Sequence, residues 1–370
     1  MSKKEILSAI VTAKTTEKVR QTLDSLIGKG RVKYFEPFSF KEMQVMAAAG
    51  KSKEEIIQAS KDHKNLIRQY VIENNPQVAI LGHDIDQSIL AGTGMKWIHC
   101  THAGVEKSAT KDVFDRGIIV TSSAGRNASS LAEHAIMFIL GLTYDINYIR
   151  DTQKAHIFGL GPRYSLRTSL SGKTVGIIGC GHNGTEIAKR LKAFDVKILG
   201  YDRNVREDQN FDIIMEANSE NLRKIASESD FLVLAVALNN ATFHMVNADL
   251  LATMKGSAYL INIARGGLVD EKALVEALQN HVIAGAGLDT FEVEPLDPNS
   301  PLWDMPEVIC TPHTTPAVQD MEERQWDYVY QNIKAYQENG NFVNRLNPED
   351  IYTKPESQNS KQKAMQNTTI

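Results

Sequence analysis

Three side chains of different chemistry follow short apolar runs in the second half of the chain. Arg265 lies in Asn262-Ile263-Ala264-Arg265-Gly266-Gly267, Glu294 follows Gly287-Leu288-Asp289-Thr290-Phe291-Glu292-Val293, and His313 follows Cys310-Thr311-Pro312. A guanidinium can pair with a carboxylate and polarise a carbonyl. A histidine titrating near neutrality can give or take the proton of an oxygen. A carboxylate beside it fixes the tautomer and favours imidazolium. Together they form the set needed to interconvert an alcohol and a carbonyl while a nicotinamide carries the hydride. Singly, each has an ordinary structural reading: a surface ion pair, a solvated carboxylate, a turn histidine.

A nucleotide fingerprint upstream reverses those ordinary readings. Val175–Ile178 reads as a buried parallel strand, breaks into Gly179-Cys180-Gly181-His182-Asn183-Gly184, and continues as a helical pattern through Ile187, Ala188, Leu191 and Phe194. A second apolar run, Val196–Tyr201, ends on Asp202. In this order, strand, G-x-G-x-x-G, helix, strand and acid make a dinucleotide site. Gly179 permits the tight turn, Gly181 lets a pyrophosphate approach the backbone, and Gly184 lets helix and strand pack closely. The helix start offers free N–H groups to the phosphates. In a doubly wound sheet, ligands gather at the carboxyl ends of strands, so Arg265, Glu294 and His313 would share one rim.

Positioning these groups takes α/β layering. Before the fingerprint, Val32–Phe35, Val78–Leu81, Met95–Thr101 and Ile118–Val120 read as strands, and Lys41–Ala49 and Glu54–Glu73 as helices. No Gly-rich phosphate turn occurs there, which suits a substrate-handling domain. Asn127 or Ser129 could cap one long helix over 130–154, apolar almost all round from Ala135 to Leu142 and therefore buried. An irregular connection with Gly159, Gly161 and Pro162 follows. Further strands fall at Phe231–Ala235, Ala258–Ile263, Ala284–Leu288 and Val308–Cys310, with helices at Glu271–Gln279 and Met321–Gln337.

With 370 residues the chain has the length of about two domains. A net charge of -4 gives no reason to expect nucleic acid or an anionic membrane as partner. Cys100, Cys180 and Cys310 form no C-x-x-C and suit thiols of a reducing compartment. The longest uncharged run, 231–248, contains Asn239, Asn240 and His244 and is no membrane span. Without a signal-type apolar core at the N-terminus, a cytoplasmic protein is the expectation.

On the motifs GCGHNG at 179–184, INIARGGLVDEKALVEAL at 261–278, GAGLDTFEVEP at 285–295 and PLWDMPEVICTPH at 301–313, the chain resembles the D-isomer-specific 2-hydroxyacid dehydrogenases over about residues 30–345. The resemblance implies a doubly wound (Rossmann) NAD domain at 122–313, inserted in a smaller flavodoxin-like α/β substrate domain. That second domain would comprise 1–121 and a C-terminal segment at 314–346, with a loosely attached polar tail at 347–370. It implies Arg265, Glu294 and His313 as the catalytic set, with His313 as proton donor and acceptor. NAD would be held by Gly179, Gly181, His182, Asn183, Gly184, Asp202, Ala237, Ile263, Asp289 and Thr315. Among these, Asp202 is the ribose-binding acid and Asp289 lies near the nicotinamide amide. The backbone of His102-Ala103-Gly104 would hold the substrate carboxylate, with Gly82-His83-Asp84-Ile85 facing the substrate's variable end. Closure would then bring the two domains together about hinges near 122–126 and 311–315. The helix beginning at Asn127–His134 would form much of a homodimer interface.

Some positions depart from the family pattern. Asn183 replaces a common isoleucine, Ala237 and Asn239 replace a proline and a threonine, and His156-Ile157-Phe158 lacks a frequent tryptophan. No chemical group is lost by these changes, so they bear on cofactor affinity. Glu294 argues against the formate-oxidising branch, which uses glutamine, and Ala103 against the phosphite-oxidising branch, which uses lysine. The expected activity is interconversion of a small 2-keto acid, of glyoxylate or hydroxypyruvate type, with a D-2-hydroxy acid. The competing expectation is a nucleotide-sensing corepressor or scaffold on the same fold.

Overall fold

Every pairing between strands in the computed structural model is parallel, in two separate sheets. The described residues are 5–38, 40–159, 161, 167–315 and 321–353. The chain divides into two compact units, Met1–Arg126 with Asp320–Ile370, and Asn127–Gln319.

In the first unit, β1 (Ala9–Val11), β2 (Val32–Tyr34), β3 (Val78–Leu81), β4 (Trp97–Cys100) and β5 (Ile119–Ser122) lie in the order 2-1-3-4-5. Every residue of β1, β3 and β4 is buried, because helices cover both faces. Alternation sends Ala9 and Val11 to one side, against Leu23 and Ile27 of α1 (Glu17–Ile27) and Trp326, Val329 and Ile333 of the C-terminal helix Met321–Glu338. Ile10 faces the other side, with Ile67 and Val71 of α3 (Lys53–Asn74) and Val113 of α4 (Lys111–Asp115). Between these, α2 (Phe40–Ala48) precedes α3, whose start is fixed by a Ser52–Glu55 capping box.

The second unit begins with α5 (Ala128–Thr143) and α6 (Ile146–Lys154). Its strands are β6 (Thr174–Ile178), β7 (Lys197–Asp202), β8 (Ile213–Glu216), β9 (Phe231–Leu234), β10 (Tyr259–Asn262), β11 (Gly285–Leu288) and β12 (Val308–Cys310), in the order 12-11-10-9-6-7-8. The order reverses between β6 and β9, the topological switch point of a doubly wound sheet. Crossovers run through α7 (His182–Leu191), α8 (Ser219–Glu228), the short α9 (Ala248–Leu251) and α10 (Glu271–Gln279). The fold class expected from the sequence is therefore the one observed.

Three local readings change. The single helix expected over 130–154 is two, because Asp145 between them is left-handed (φ 52°) and its carboxylate accepts from Tyr148 N–H (3.4 Å) at the start of α6. Burial of α5 is a stripe and not all round: Ala132, Ala135, Phe138, Ile139 and Leu142 are buried, whereas Met137 is 45% exposed. The sheets also contain β1 and β8, which the apolar-run pattern does not separate from their surroundings. Of the polar tail, Pro348–Asp350 forms one 3-10 turn, and 354–370 lie outside the described residues, as does Pro162 of the irregular connection. Among the described residues no helix is long and apolar enough to cross a membrane.

Candidate active site

Arg265, Glu294 and His313 follow β10, β11 and β12, which are neighbours in the sheet, so parallel register brings their loops to one edge. Behind Arg265, the buried Asn262 side chain donates to the Arg265 carbonyl (3.0 Å) and accepts from Ala264 N–H (3.1 Å), fixing the turn. Glu294 Oε1 accepts from Phe291 N–H (3.1 Å), and its Oε2 lies 2.8 Å from His313 Nδ1. A carboxylate only accepts, so Nδ1 carries the proton and Nε2 remains for chemistry beyond the pair. Both side chains are 37% exposed.

The electrostatics follow from this contact. The hydrogen bond to Glu294 raises the His313 pKa above the ordinary value; burial and Arg265 oppose that, and the charges of Glu294 and Asp289 assist it. For Glu294, burial alone would push the pKa up. The hydrogen bond and charge of His313, with Phe291 N–H and Arg265, outweigh burial and hold it below the ordinary carboxylate value. The two shifts agree in describing an ion pair.

Asp289, 1% exposed, braces the turn that carries His313. Its Oδ1 accepts from the Thr311 hydroxyl (2.6 Å) and Thr314 N–H (2.9 Å), and its Oδ2 from the Thr315 hydroxyl and N–H (3.2 Å). Its backbone carbonyl accepts from His313 N–H (2.9 Å). His313 is thereby held at φ 53°, a left-handed conformation costly for a side chain with a Cβ. Since the Thr311 hydroxyl donates to Asp289, it accepts from His134 Nε2 (3.0 Å), which must be protonated.

The fingerprint has the shape a dinucleotide needs. Gly179 has φ 95°, and a Cβ there would meet Val236 N at 2.7 Å. A Cβ on Gly184 would meet the Gly179 carbonyl oxygen at 2.0 Å, whereas one on Gly181 would meet nothing within 4 Å, which leaves room for a ligand. No side chain caps α7, which begins at the exposed His182. Asn183 Oδ1 is buried without a partner. Asp202 ends β7 with Oδ2 accepting from Cys180 N–H (2.7 Å) and Oδ1 from Asn204 N–H (2.9 Å), so it is fixed beside the glycine turn. Arg206 reaches the Cys180 carbonyl from the same loop. Ala237 is exposed in the segment after β9, Ile263 is buried just past β10, and Thr315 belongs to the Asp289 brace.

In the first unit, His102-Ala103-Gly104 follow β4. His102 Nε2 lies 3.3 Å from Asp84 Oδ1, which also accepts from the Ser108 hydroxyl (2.9 Å), and His102 Nδ1 is buried without a partner. His83 Nδ1 donates to the Asp84 carbonyl (2.7 Å), and its Nε2 meets the Thr12 hydroxyl at 3.1 Å, across the ends of β3 and β1. Both His83 and Asp84 are half-buried and partnered.

A family model described as the NAD binding domain of D-isomer specific 2-hydroxyacid dehydrogenases matches residues 136–315. A glyoxylate reductase of Korarchaeum cryptofilum is 32% identical over 297 residues, covering 79% of this chain and 88% of that protein. The chain belongs to the D-isomer specific 2-hydroxyacid dehydrogenase family. A second relative in this family, a glyoxylate reductase of Thermofilum pendens, is 34% identical over 76% of this chain and 84% of that protein. Among solved structures, the NADPH-dependent glyoxylate/hydroxypyruvate reductase of Sinorhizobium meliloti in complex with citrate superimposes with a TM-score of 0.66 at 26% identity, covering 94% of this chain and 99% of that one. The D-2-hydroxyacid dehydrogenase family places the chain among the oxidoreductases.

Two side chains in contact with the candidate site stand out weakly in the sequence. His134 stands beside Glu133 at the edge of the apolar run of α5, and its ring nitrogen there is the one clue the sequence offers. Glu271 follows the N-cap Asp270 in the first turn of α10 and reads as an acid placed for the helix dipole.

Proposed function

We propose that this chain reduces a small 2-keto acid to the D-2-hydroxy acid, with glyoxylate and hydroxypyruvate as the first candidates. The observation that carries this reading is the His313–Glu294 pair, 2.8 Å apart, beside Arg265. When bound, the nicotinamide would supply the hydride to the carbonyl carbon. Arg265 grips the substrate carboxylate and polarises the carbonyl. His313, kept protonated on Nδ1 by Glu294, delivers its Nε2 proton to the developing alkoxide, and in oxidation the neutral ring takes it back. Gly179, Gly181, His182, Asn183 and Gly184 would hold the pyrophosphate, with Ala237, Ile263, Asp289 and Thr315 along the nicotinamide half.

NAD is the preferred cofactor in this proposal, because the fixed carboxylate of Asp202 accepts from a ribose diol and repels a 2′-phosphate. In the first unit the proposal keeps His102, Ala103 and Gly104 as a carboxylate-binding turn; His102 Nδ1, buried without a partner, supports it. Homodimer assembly through α5 and a cytoplasmic location belong to the same proposal. The test is a panel of glyoxylate, hydroxypyruvate, pyruvate and a branched 2-keto acid with NADH and with NADPH. Oxidation of reduced nicotinamide with a small keto acid is expected. No turnover with any of them would leave the corepressor reading standing instead.

A further inference from the structure

Several parts of the candidate site meet at one peptide, Phe291–Glu292. The Phe291 N–H, which belongs to the peptide before it, donates to Glu294 Oε1 (3.1 Å), which orients the carboxylate that holds His313. The Glu292 N–H of the Phe291–Glu292 peptide donates to Glu271 Oε2 (3.0 Å), a side chain arriving from the first turn of α10. Gly266, the neighbour of Arg265, packs onto the same peptide. A Cβ at Gly266 would fall 1.9 Å from the Phe291 carbonyl carbon and oxygen and 2.4 Å from Glu292 N. The Glu292 carboxylate lies 3.3 Å from His244 Nε2, and His244 N–H donates to the Gly267 carbonyl (2.9 Å). The loops of Arg265 and Glu294 are thus registered against each other through this peptide, and Glu271 is the side chain that pins it from the helix side.

We infer that Glu271 is a positioning residue for the reaction, acting through its acceptor oxygen on the Phe291–Glu292 peptide to keep Glu294 aligned with His313. The helix does not need this carboxylate as a cap, since Asp270 accepts from Ala273 N–H (3.1 Å) and fills that role. Nor does the location favour a charge. Burial first, and then the nearby Glu292 and Glu294, raise the Glu271 carboxyl above its ordinary value, against the help of the Glu292 N–H. What the position uses is an oxygen that accepts a hydrogen bond at the end of a side chain of this length. A glutamine supplies that oxygen without the charge; an alanine supplies nothing and leaves a part-buried N–H without this partner.

The inference rests on the proposed reduction of a 2-keto acid, and its test separates the two. The full chain and the variants Glu271→Gln and Glu271→Ala are assayed for oxidation of NADH with glyoxylate, alongside thermal unfolding. A parent chain that turns over no 2-keto acid overturns the functional proposal. With an active parent, Glu271→Ala is expected to lower kcat about tenfold or more while KM for the keto acid stays within about threefold, the signature of an interaction needed in the transition state. Glu271→Gln is expected to recover kcat to within about threefold of the parent. If the alanine variant does not fold, Glu271→Met, of similar size and without the oxygen, takes its place. The inference fails if the folded variant lacking the oxygen keeps kcat within about twofold of the parent, or if glutamine is no better than that variant.

Discussion

Replacing Glu294 by glutamine keeps the shape of the His313 contact and removes its charge. In the parent, the hydrogen bond and charge of Glu294 hold the His313 pKa above the ordinary value. The pair is partly open to solvent, each side chain being 37% exposed, so screening reduces its worth to about 1 kcal/mol, the upper end for exposed pairs. At about 1.4 kcal/mol per pH unit, loss of that interaction moves the titration by roughly 0.7 pH unit. The sign follows from which form each direction needs. Reduction requires imidazolium and declines as pH rises through the His313 pKa; the variant should therefore lose reduction at a lower pH than the parent. Oxidation requires neutral imidazole, so its acid limb should extend further down by the same amount. The assay is kcat/KM against pH in both directions, for parent and Glu294→Gln. Coincident limbs in the reduction profile would refute the coupling of the two side chains, and with it the assignment of Glu294.

Two other substitutions address the remaining chemistry. Arg265→Lys should lower kcat/KM for the keto acid by about a hundredfold, because a point charge cannot reproduce a bidentate grip; steady-state kinetics retaining more than a third of the parent value would count against that role. Asp202→Ser should raise the ratio of kcat/KM with NADPH to that with NADH by about tenfold or more, since it removes the charge that would repel a 2′-phosphate. An unchanged ratio would mean that the Asp202 charge does not set the cofactor preference.

Much of this arrangement can be read in the sequence where chemistry and local spacing coincide. The glycines at 179, 181 and 184 declare a strand-turn-helix because each position has its own steric demand, and a Cβ at Gly184 would indeed sit 2.0 Å from a carbonyl oxygen. Arg265, Glu294 and His313 stand just past apolar runs, and the adjacency of β10, β11 and β12 brings them together. Illegible features depend on contacts distant in the chain or on single backbone angles. Nothing near Asp145 announces a left-handed break, because the segment on both sides keeps a helical pattern. The short edge strand β8 has two buried residues, too few to impose a period. Glu271 and His134 acquire their partners only when residues 292 and 311 arrive beside them. Asp289 is similar: its four donors come from Thr311, Thr314 and Thr315 in the turn after β12, more than twenty residues away.

That saturated carboxylate has a bearing on how the protein breathes. Backbone groups open independently where their hydrogen bonds face solvent and few apolar contacts restrain them. Here the amides of His313, Thr314 and Thr315 all end on Asp289, whose own amide is tied to the Asn262 carbonyl at the end of β10. Releasing the loop means stripping a buried carboxylate of its donors, so its amides are expected to exchange more slowly than those of a solvent-facing loop. The backbone of His313 is thus tied through Asp289 to the ends of β10 and β11, and its ring is held by Glu294.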